Sequence, residues 1–142
     1  MAVEIVLDAS VAAKLFFIEA GSDAAHALAL SDVRLIAPDL LWAEMASIAG
    51  RRVRVDGLDE GLAQRAVSVL GEIVAEFQPM EGLAVRAFEL SARHGITAYD
   101  AAYLALAEQR GSVMVTADAR LVAKARTAGL GAKVKLLAEE TR

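Results

Sequence analysis

Four acidic residues of this 142-residue chain each lie within or beside a run of apolar residues: Asp8, Glu44, Asp100 and Asp118. A carboxylate that leaves water loses on the order of several kcal/mol of hydration, so a chain that repeats this placement must give the charges a shared partner. Clustered carboxylates raise one another's pKa values unless a cation screens them, so we expect an oxygen-ligated Mg²⁺ or Mn²⁺. Such ions usually bind phosphate oxygens. The acids therefore indicate phosphodiester hydrolysis by a metal-activated water.

Two of these acids also have an ordinary structural interpretation as helix caps. Asp8 and Asp118 each follow a predicted strand and precede a predicted helix, where aspartate commonly caps the first turn. Ser10 would either share the capping with Asp8 or hold a metal-bound water. Capping and metal ligation stay open for both residues when each is considered alone.

The other two acids differ in how well a structural role explains them. Asp100 stands three residues after Thr97, which is the spacing of a capping box, although the apolar residues 101–107 predict a buried helix around it. Glu44 is the single charge in residues 40–49 (LLWAEMASIA), and its neighbours at helical spacing are mostly apolar. The alternative for Glu44 is a solvated glutamate among small residues.

The elements that position these acids alternate between strands and helices. The patterns predict strands over 3–7, 33–37, 113–116 and 134–137, and helices over 9–18, 21–30, 40–51, 58–76, 82–94, 97–110 and 118–128, with a turn in 53–57. Short connections between alternating elements imply right-handed crossovers and a parallel sheet of the α/β class. Ligands of such sheets gather at the carboxyl ends of the strands. Asp8 and Asp118 should therefore meet at one edge.

Composition narrows the chemistry further. The chain has no cysteine, which excludes disulfides and a cysteine nucleophile, and its formal net charge of −4 argues against bulk attraction to nucleic acid. The two histidines, His26 and His94, are better explained structurally, His94 by a helix C-terminus. No phosphate-binding P-loop motif occurs. With no signal peptide visible and no membrane-spanning run, we expect a cytoplasmic protein without membrane contact.

Contact with a polyanion would therefore be local. Several basic residues lie close in sequence to the acids: Lys14, Arg51, Arg52, Arg54, Arg93, Arg120 and Lys124. Most surface cations are simply solvated, but as a set some of these would line a path for phosphates.

Four segments in order along the chain resemble a PIN domain. They are residues 6–11 (VLDASV), 38–44 (PDLLWAE), 99–107 (YDAAYLALA) and 115–121 (VTADARL). The resemblance spans nearly the whole chain, and at this length it is to a VapC-type toxin of a type II toxin–antitoxin pair. It implies one PIN domain over residues 1–142, folded as a three-layer α/β/α sandwich with a central parallel sheet of four to five strands.

The same resemblance implies a Mg²⁺-dependent endoribonuclease, with Mn²⁺ as a substitute metal. Asp8, Glu44, Asp100 and Asp118 match the carboxylate quartet, with Asp8 and Asp100 as principal ligands; Ser10 and Thr116 match the supporting hydroxyls. A homodimer, a VapB-type antitoxin whose tail occupies the active-site groove, a toxin–antitoxin hetero-oligomer and an RNA substrate are also implied. The acidic residues show no departure from the family pattern.

Two alternatives compete with this hypothesis. One is a non-catalytic PIN-like module that binds RNA or protein without cleavage, although four retained acids serve binding poorly. The other is a haloacid-dehalogenase-like phosphatase, which also begins with a strand and an aspartate. That chemistry requires a second aspartate where this chain has Ser10.

Overall fold

The computed structural model describes residues 2–137 and is built around a five-stranded sheet. The strands are β1 (Val3–Leu7), β2 (Val33–Pro38), β3 (Glu76–Gln78), β4 (Val113–Thr116) and β5 (Val134–Leu136). They lie in the order β3-β2-β1-β4-β5, and every neighbouring pair is parallel. The predicted α/β class with a parallel sheet of four to five strands is confirmed. The predicted single domain of residues 1–142 extends beyond the described residues at both ends.

Helices connect each strand to the next. They are α1 (Ala9–Phe16), α2 (Ser22–Leu30), α3 (Leu40–Asp56), α4 (Glu60–Ser68), α5 (Leu70–Ile73), α6 (Ala84–His94), α7 (Ala98–Arg110) and α8 (Ala119–Thr127), with short 3-10 turns at Met80–Gly82 and Gly131–Lys133. Strand order runs outward in both directions from β1, so right-handed crossovers place α1 to α5 on one face and α6 to α8 on the other. The result is the three-layer α/β/α sandwich.

Two sequence predictions in the middle of the chain were wrong. The helix predicted over 40–51 continues to Asp56, so residues 53–56 are helical, and the turn comes at Gly57, whose φ of 70° is left-handed. The long helix predicted over 58–76 is two helices, α4 and α5, followed by strand β3. Its apolar residues fit a helical period, but the three residues of β3 are too few to show a strand period of their own.

Helix α7 is the centre of the core. Its residues 101–107 are all buried, and it packs across β4, β1 and β2. Because α7 leads directly into β4 and runs back across the sheet, its first turn lies at the carboxyl edge of the strands and its last turn at the amino edge. The helix thus links the two edges of the sheet.

The amino edge of the sheet carries a closed ionic network. Arg110 at the end of α7 donates to Glu4 of β1 at 2.6 Å and to Glu76 of β3 at 2.7 Å, and Arg34 of β2 joins the same two carboxylates at 2.6 and 3.1 Å. Arg110 and Arg34 hold the pKa of Glu76 down, to about 2. Within this network the positive charges of two arginines balance the negative charges of two glutamates.

None of the helices within residues 2–137 is long and apolar enough to cross a membrane.

Candidate active site

The four predicted acids lie at the start of four different helices on the carboxyl side of the sheet. Asp8 immediately precedes α1, Glu44 stands in the second turn of α3, Asp100 in the first turn of α7, and Asp118 immediately precedes α8. Helix N-termini carry partial positive charge and favour carboxylates nearby. The fold therefore brings together residues that are up to 110 positions apart in the chain.

Asp8 is the buried member, and its side chain does not cap the helix. It makes no cap hydrogen bond to α1 and is 6% exposed. Its Oδ2 instead accepts hydrogen bonds from Ser10 Oγ at 2.5 Å and from Thr116 Oγ1 at 2.7 Å. The capping interpretation of Asp8 is therefore wrong, and both predicted supporting hydroxyls contact this carboxylate directly.

The two hydroxyls are themselves oriented by the loop between β4 and α8. Ser10 Oγ accepts from the backbone N–H of Ala117 at 3.0 Å, and Thr116 Oγ1 accepts from the N–H of Asp118 at 3.1 Å. A hydroxyl that accepts from an amide is free to direct its own proton elsewhere, here to Asp8. The network therefore holds the turn after β1 against the turn after β4.

Burial raises the pKa of Asp8, and the Ser10 and Thr116 hydroxyls oppose that rise by stabilising the ionised form. Hydrogen bonding and desolvation thus act in opposite directions on one carboxylate.

Glu44 is half-buried and receives a hydrogen bond that the sequence interpretation did not assign. The hydroxyl of Tyr103, a fully buried residue of α7, donates to Glu44 Oε1 at 2.6 Å. Burial raises the pKa of Glu44, and the charges of Asp8 and Asp100 raise it further, whereas the Tyr103 bond lowers it. Burial and the charge of Glu44 also raise the pKa of Tyr103, so that its hydroxyl stays a donor. The missed signal was a polar group one helical turn after Asp100 in an otherwise apolar helix.

Asp100 combines a structural and an electrostatic role. Its backbone N–H donates to Thr97 Oγ1 at 3.2 Å, so Thr97 caps α7 as the capping-box interpretation predicted. Burial raises the pKa of the Asp100 carboxyl, and the charges of Asp8 and Asp118 add to this, while Thr97 and the cation of Lys124 oppose it. Asp100 therefore interacts with acids of two other helices.

Asp118 is exposed and does cap its helix. One oxygen, Oδ1, accepts from the N–H groups of Arg120 at 2.9 Å and Leu121 at 3.2 Å. Those two bonds use a single carboxylate oxygen. Capping thus explains why an aspartate is favourable at this position, while its charge still acts on Asp100.

The charges of these acids act on one another's titration. The charge of Asp8 raises the pKa values of Glu44 and Asp100, and the charge of Asp100 raises that of Glu44 further. A cation would relieve this repulsion through hard oxygen ligands. Among the described residues no three acidic side chains stand as close as the ligands of one metal ion. The donor atoms are carboxylate and hydroxyl oxygens, the type that Mg²⁺ and Mn²⁺ prefer.

Three of the predicted basic residues lie near the acids. Lys14 and Arg120 line a cavity of about 650 Å³ together with Ser10 and Asp118, and Lys124 acts on Asp100. Arg52 instead pairs with Glu19 and Asp56 and stacks over Phe17. The remaining basic candidates, Arg51, Arg54 and Arg93, line neither this cavity nor the one beside Glu44.

An acidic cluster at the carboxyl edge of a five-stranded parallel sheet, held by hydroxyls of two neighbouring turns, is the arrangement expected for a PIN domain. The family model for the PIN domain matches residues 5–127, so the chain belongs to the PIN domain family. Ribonuclease VapC3 of Pyrobaculum aerophilum is 33% identical over 123 residues, which cover 85% of this chain and 94% of that protein. Ribonuclease VapC9 of Mycobacterium tuberculosis is 38% identical over 88 residues, covering 62% of this chain and 68% of the relative. These relatives assign the chain to the VapC-type PIN proteins.

A solved structure shows the same fold. The crystal structure of PAE2754 from Pyrobaculum aerophilum matches with a TM-score of 0.71 and 24% identity, covering 98% of this chain and 93% of that one.

Proposed function

We propose that the protein is a Mg²⁺-dependent endoribonuclease that acts as the toxin of a VapBC-type toxin–antitoxin pair. The observation that carries this proposal is the buried Asp8 carboxylate, held by Ser10 and Thr116 within electrostatic range of Glu44 and Asp100. The names of the VapC relatives support ribonuclease activity, and the resemblance to VapC-type toxins implies an antitoxin partner. Cytoplasmic RNA is the substrate this predicts.

Asp8, Glu44 and Asp100, with Asp118 beside them, are the residues that would hold the metal. When bound, Mg²⁺ supplies charge neutralisation at the scissile phosphate and lowers the pKa of a water molecule for the attack. Ser10 and Thr116 fix the rotamer of Asp8 and favour its ionised form, and Tyr103 does the same for Glu44. Arg120 lines the cavity that also contains Asp118 and would attract a phosphate of the substrate there, whereas Lys14 of the same cavity is paired with Glu19.

The test is cleavage of RNA by the purified protein with the Asp100→Asn variant beside it. Wild type should cleave RNA in Mg²⁺ or Mn²⁺ and stop in EDTA, and Asp100→Asn should lose at least about a hundredfold in rate, since it removes a charge from the metal site. The exposed Asp32→Asn is the matched control and should cleave normally. Circular dichroism and thermal unfolding establish that both variants are folded.

A variant with full activity would contradict the assignment of Asp100. RNA binding without cleavage by wild type would instead favour the non-catalytic module. The toxin role has its own test: growth arrest on induction should disappear when the cognate antitoxin is co-expressed. Size-exclusion chromatography with light scattering tests the proposed homodimer and its hetero-oligomer with the antitoxin.

A further inference from the structure

An open cavity of about 370 Å³ lies beside the acidic cluster and has no role in holding the acids. Its lining residues are Leu40, Ala43, Glu44, Ser47, Ile48 and Tyr99. The five residues from α3 follow the spacing i, i+3, i+4, i+7 and i+8, so they form one stripe along a single face of the helix. Apart from Glu44 and Ser47 the stripe is apolar. One wall of the candidate active site therefore offers apolar surface to solvent.

Tyr99 of α7 also lines this cavity and is largely exposed. It is 61% exposed and directly precedes Asp100 in the first turn of α7. Neither local structure nor the core accounts for it, because Thr97 caps this helix and Tyr103 supplies its buried aromatic. An exposed aromatic face beside a nuclease-like acid cluster is suited to stacking of a nucleobase.

The other side of the acids is polar and charged. The cavity of about 650 Å³ there is lined by two cations, Lys14 and Arg120, and two acids, Glu19 and Asp118, and it shares Ile48 with the aromatic cavity. Lys14 pairs with Glu19 at 3.2 Å, which leaves the exposed Arg120 as the cation for a phosphate on this side. A nucleic acid strand presents both kinds of group, charged phosphates and flat apolar base faces, at each nucleotide.

We infer that the aromatic cavity seats the nucleobase next to the cleaved phosphodiester, stacked on Tyr99, while Arg120 contacts a phosphate on the other side. This inference rests on the proposed function and defines its substrate more closely. A base that stacks on Tyr99 has left its own helix, so the strand is unpaired and unstacked at the cleavage site.

The experiment measures binding of a short single-stranded RNA by fluorescence anisotropy in Ca²⁺ or EDTA, where cleavage is absent. Tyr99→Ala should weaken binding about tenfold, whereas Tyr99→Phe, which keeps the aromatic face, should bind like wild type. Phe88→Ala is the matched control, since Phe88 is also exposed, at 68%, but lies on α6 outside both cavities. It should leave binding unchanged.

A second arm identifies the stacked base. The same RNA is made with a single abasic nucleotide at each position in turn. At one position the abasic nucleotide should weaken binding by wild type about as much as Tyr99→Ala weakens binding to the intact RNA. On that abasic RNA, Tyr99→Ala should bind no worse than wild type, because the interaction is already absent. If Tyr99→Ala weakened binding by the same factor on the intact RNA and on every abasic RNA, the inference would be overturned.

The binding readout separates this inference from the proposed function. If wild type cleaves RNA while Tyr99→Ala binds and cleaves normally, only the base-stacking inference fails. If wild type never cleaves yet the abasic pattern appears, the ribonuclease proposal fails and the stacking site stands. Should Tyr99→Ala leave RNA binding intact but weaken neutralisation by the antitoxin, the cavity is a peptide site and the inference is wrong.

Discussion

At the scale of single residues, the hydroxyl of Tyr103 favours the ionised form of Glu44 against the effect of burial. Removing it in Tyr103→Phe takes away the one interaction that lowers the pKa of Glu44, so that pKa should rise further. Cleavage should then begin at a higher pH than in wild type. Loss of the buried hydrogen bond should also lower the free energy of unfolding, measured in urea, by about 1–2 kcal/mol. Tyr99→Phe, one helical turn earlier, is the control. Superimposable pH profiles for Tyr103→Phe and wild type would contradict this role.

Thr116 is a stronger test because its hydroxyl joins Asp8, the amide of Asp118 and the Ser10 hydroxyl. In Thr116→Val the Asp8 carboxylate loses a donor and the amide of Asp118 loses an acceptor, in a residue that is 0% exposed. We expect a loss of roughly 1–3 kcal/mol in the free energy of unfolding and a weaker Mg²⁺ affinity. Calorimetric Mg²⁺ titration and urea unfolding measure the two effects.

Thr116→Ser keeps the hydroxyl and is the matched control, so it should retain most of both properties. A valine variant that binds Mg²⁺ as tightly as wild type would show that the hydroxyl serves packing alone.

At the scale of elements, the sequence was sufficient wherever an acid follows a strand directly. Asp8 and Asp118 could be assigned to one edge because parallel strands fix where their carboxyl ends meet. Glu44 and Asp100 belong to helices whose approach to that edge depends on tertiary packing, so their place followed from the resemblance alone. Tyr103 lies one helical turn after Asp100, but its partner Glu44 is 59 positions away, so their pairing depends on how α3 and α7 approach each other in the fold. Strand β3 was missed for a related reason, since it exists only by pairing with β2.

The last turn of α7 is tied to the sheet by the ionic network of Arg110, Glu4, Arg34 and Glu76. Arg110→Gln should lower the free energy of unfolding by about 1 kcal/mol, a modest figure because these side chains are partly exposed and screened by solvent. The depressed pKa of Glu76 means that this stabilisation is present above its ordinary value of 4.5 and is lost as pH falls toward about 2.

Urea unfolding at neutral and acid pH, with and without high salt, measures this contribution. The difference between Arg110→Gln and wild type should shrink in both acid and salt, while RNA cleavage at neutral pH stays normal. Arg93→Gln, an exposed cation at the end of α6, is the control. A pH-independent difference would attribute the effect to packing of the arginine stem.

At the scale of the whole molecule, the two edges of the sheet respond to pH with opposite signs. Asp8, Glu44 and Asp100 have raised pKa values, so the folded protein holds these protons more tightly than the unfolded chain does. Their contribution is fully present below the ordinary pKa values of 3.8 and 4.5 and is lost as pH rises through the raised ones. The metal-free protein is therefore destabilised at neutral pH by its own site, while the amino edge is at its strongest.

Mg²⁺ should reverse that destabilisation in a pH-dependent way, because it binds the carboxylates only after their protons have left. At a free concentration near 100 times its Kd the ion adds about 2.7 kcal/mol to the free energy of unfolding. The rise in Tm should accordingly be largest at about pH 8 and fade toward about pH 4, where the ion competes with protons. Differential scanning fluorimetry at matched ionic strength measures this rise in Tm, with NaCl in place of MgCl₂ as the control.

The metal acts through the acids, so a double variant that carries Asp8→Asn and Asp100→Asn tests the same point. Without metal it should unfold at a higher temperature than wild type, and Mg²⁺ should raise its Tm little. An equal Mg²⁺ shift in both proteins would mean that the ion binds elsewhere.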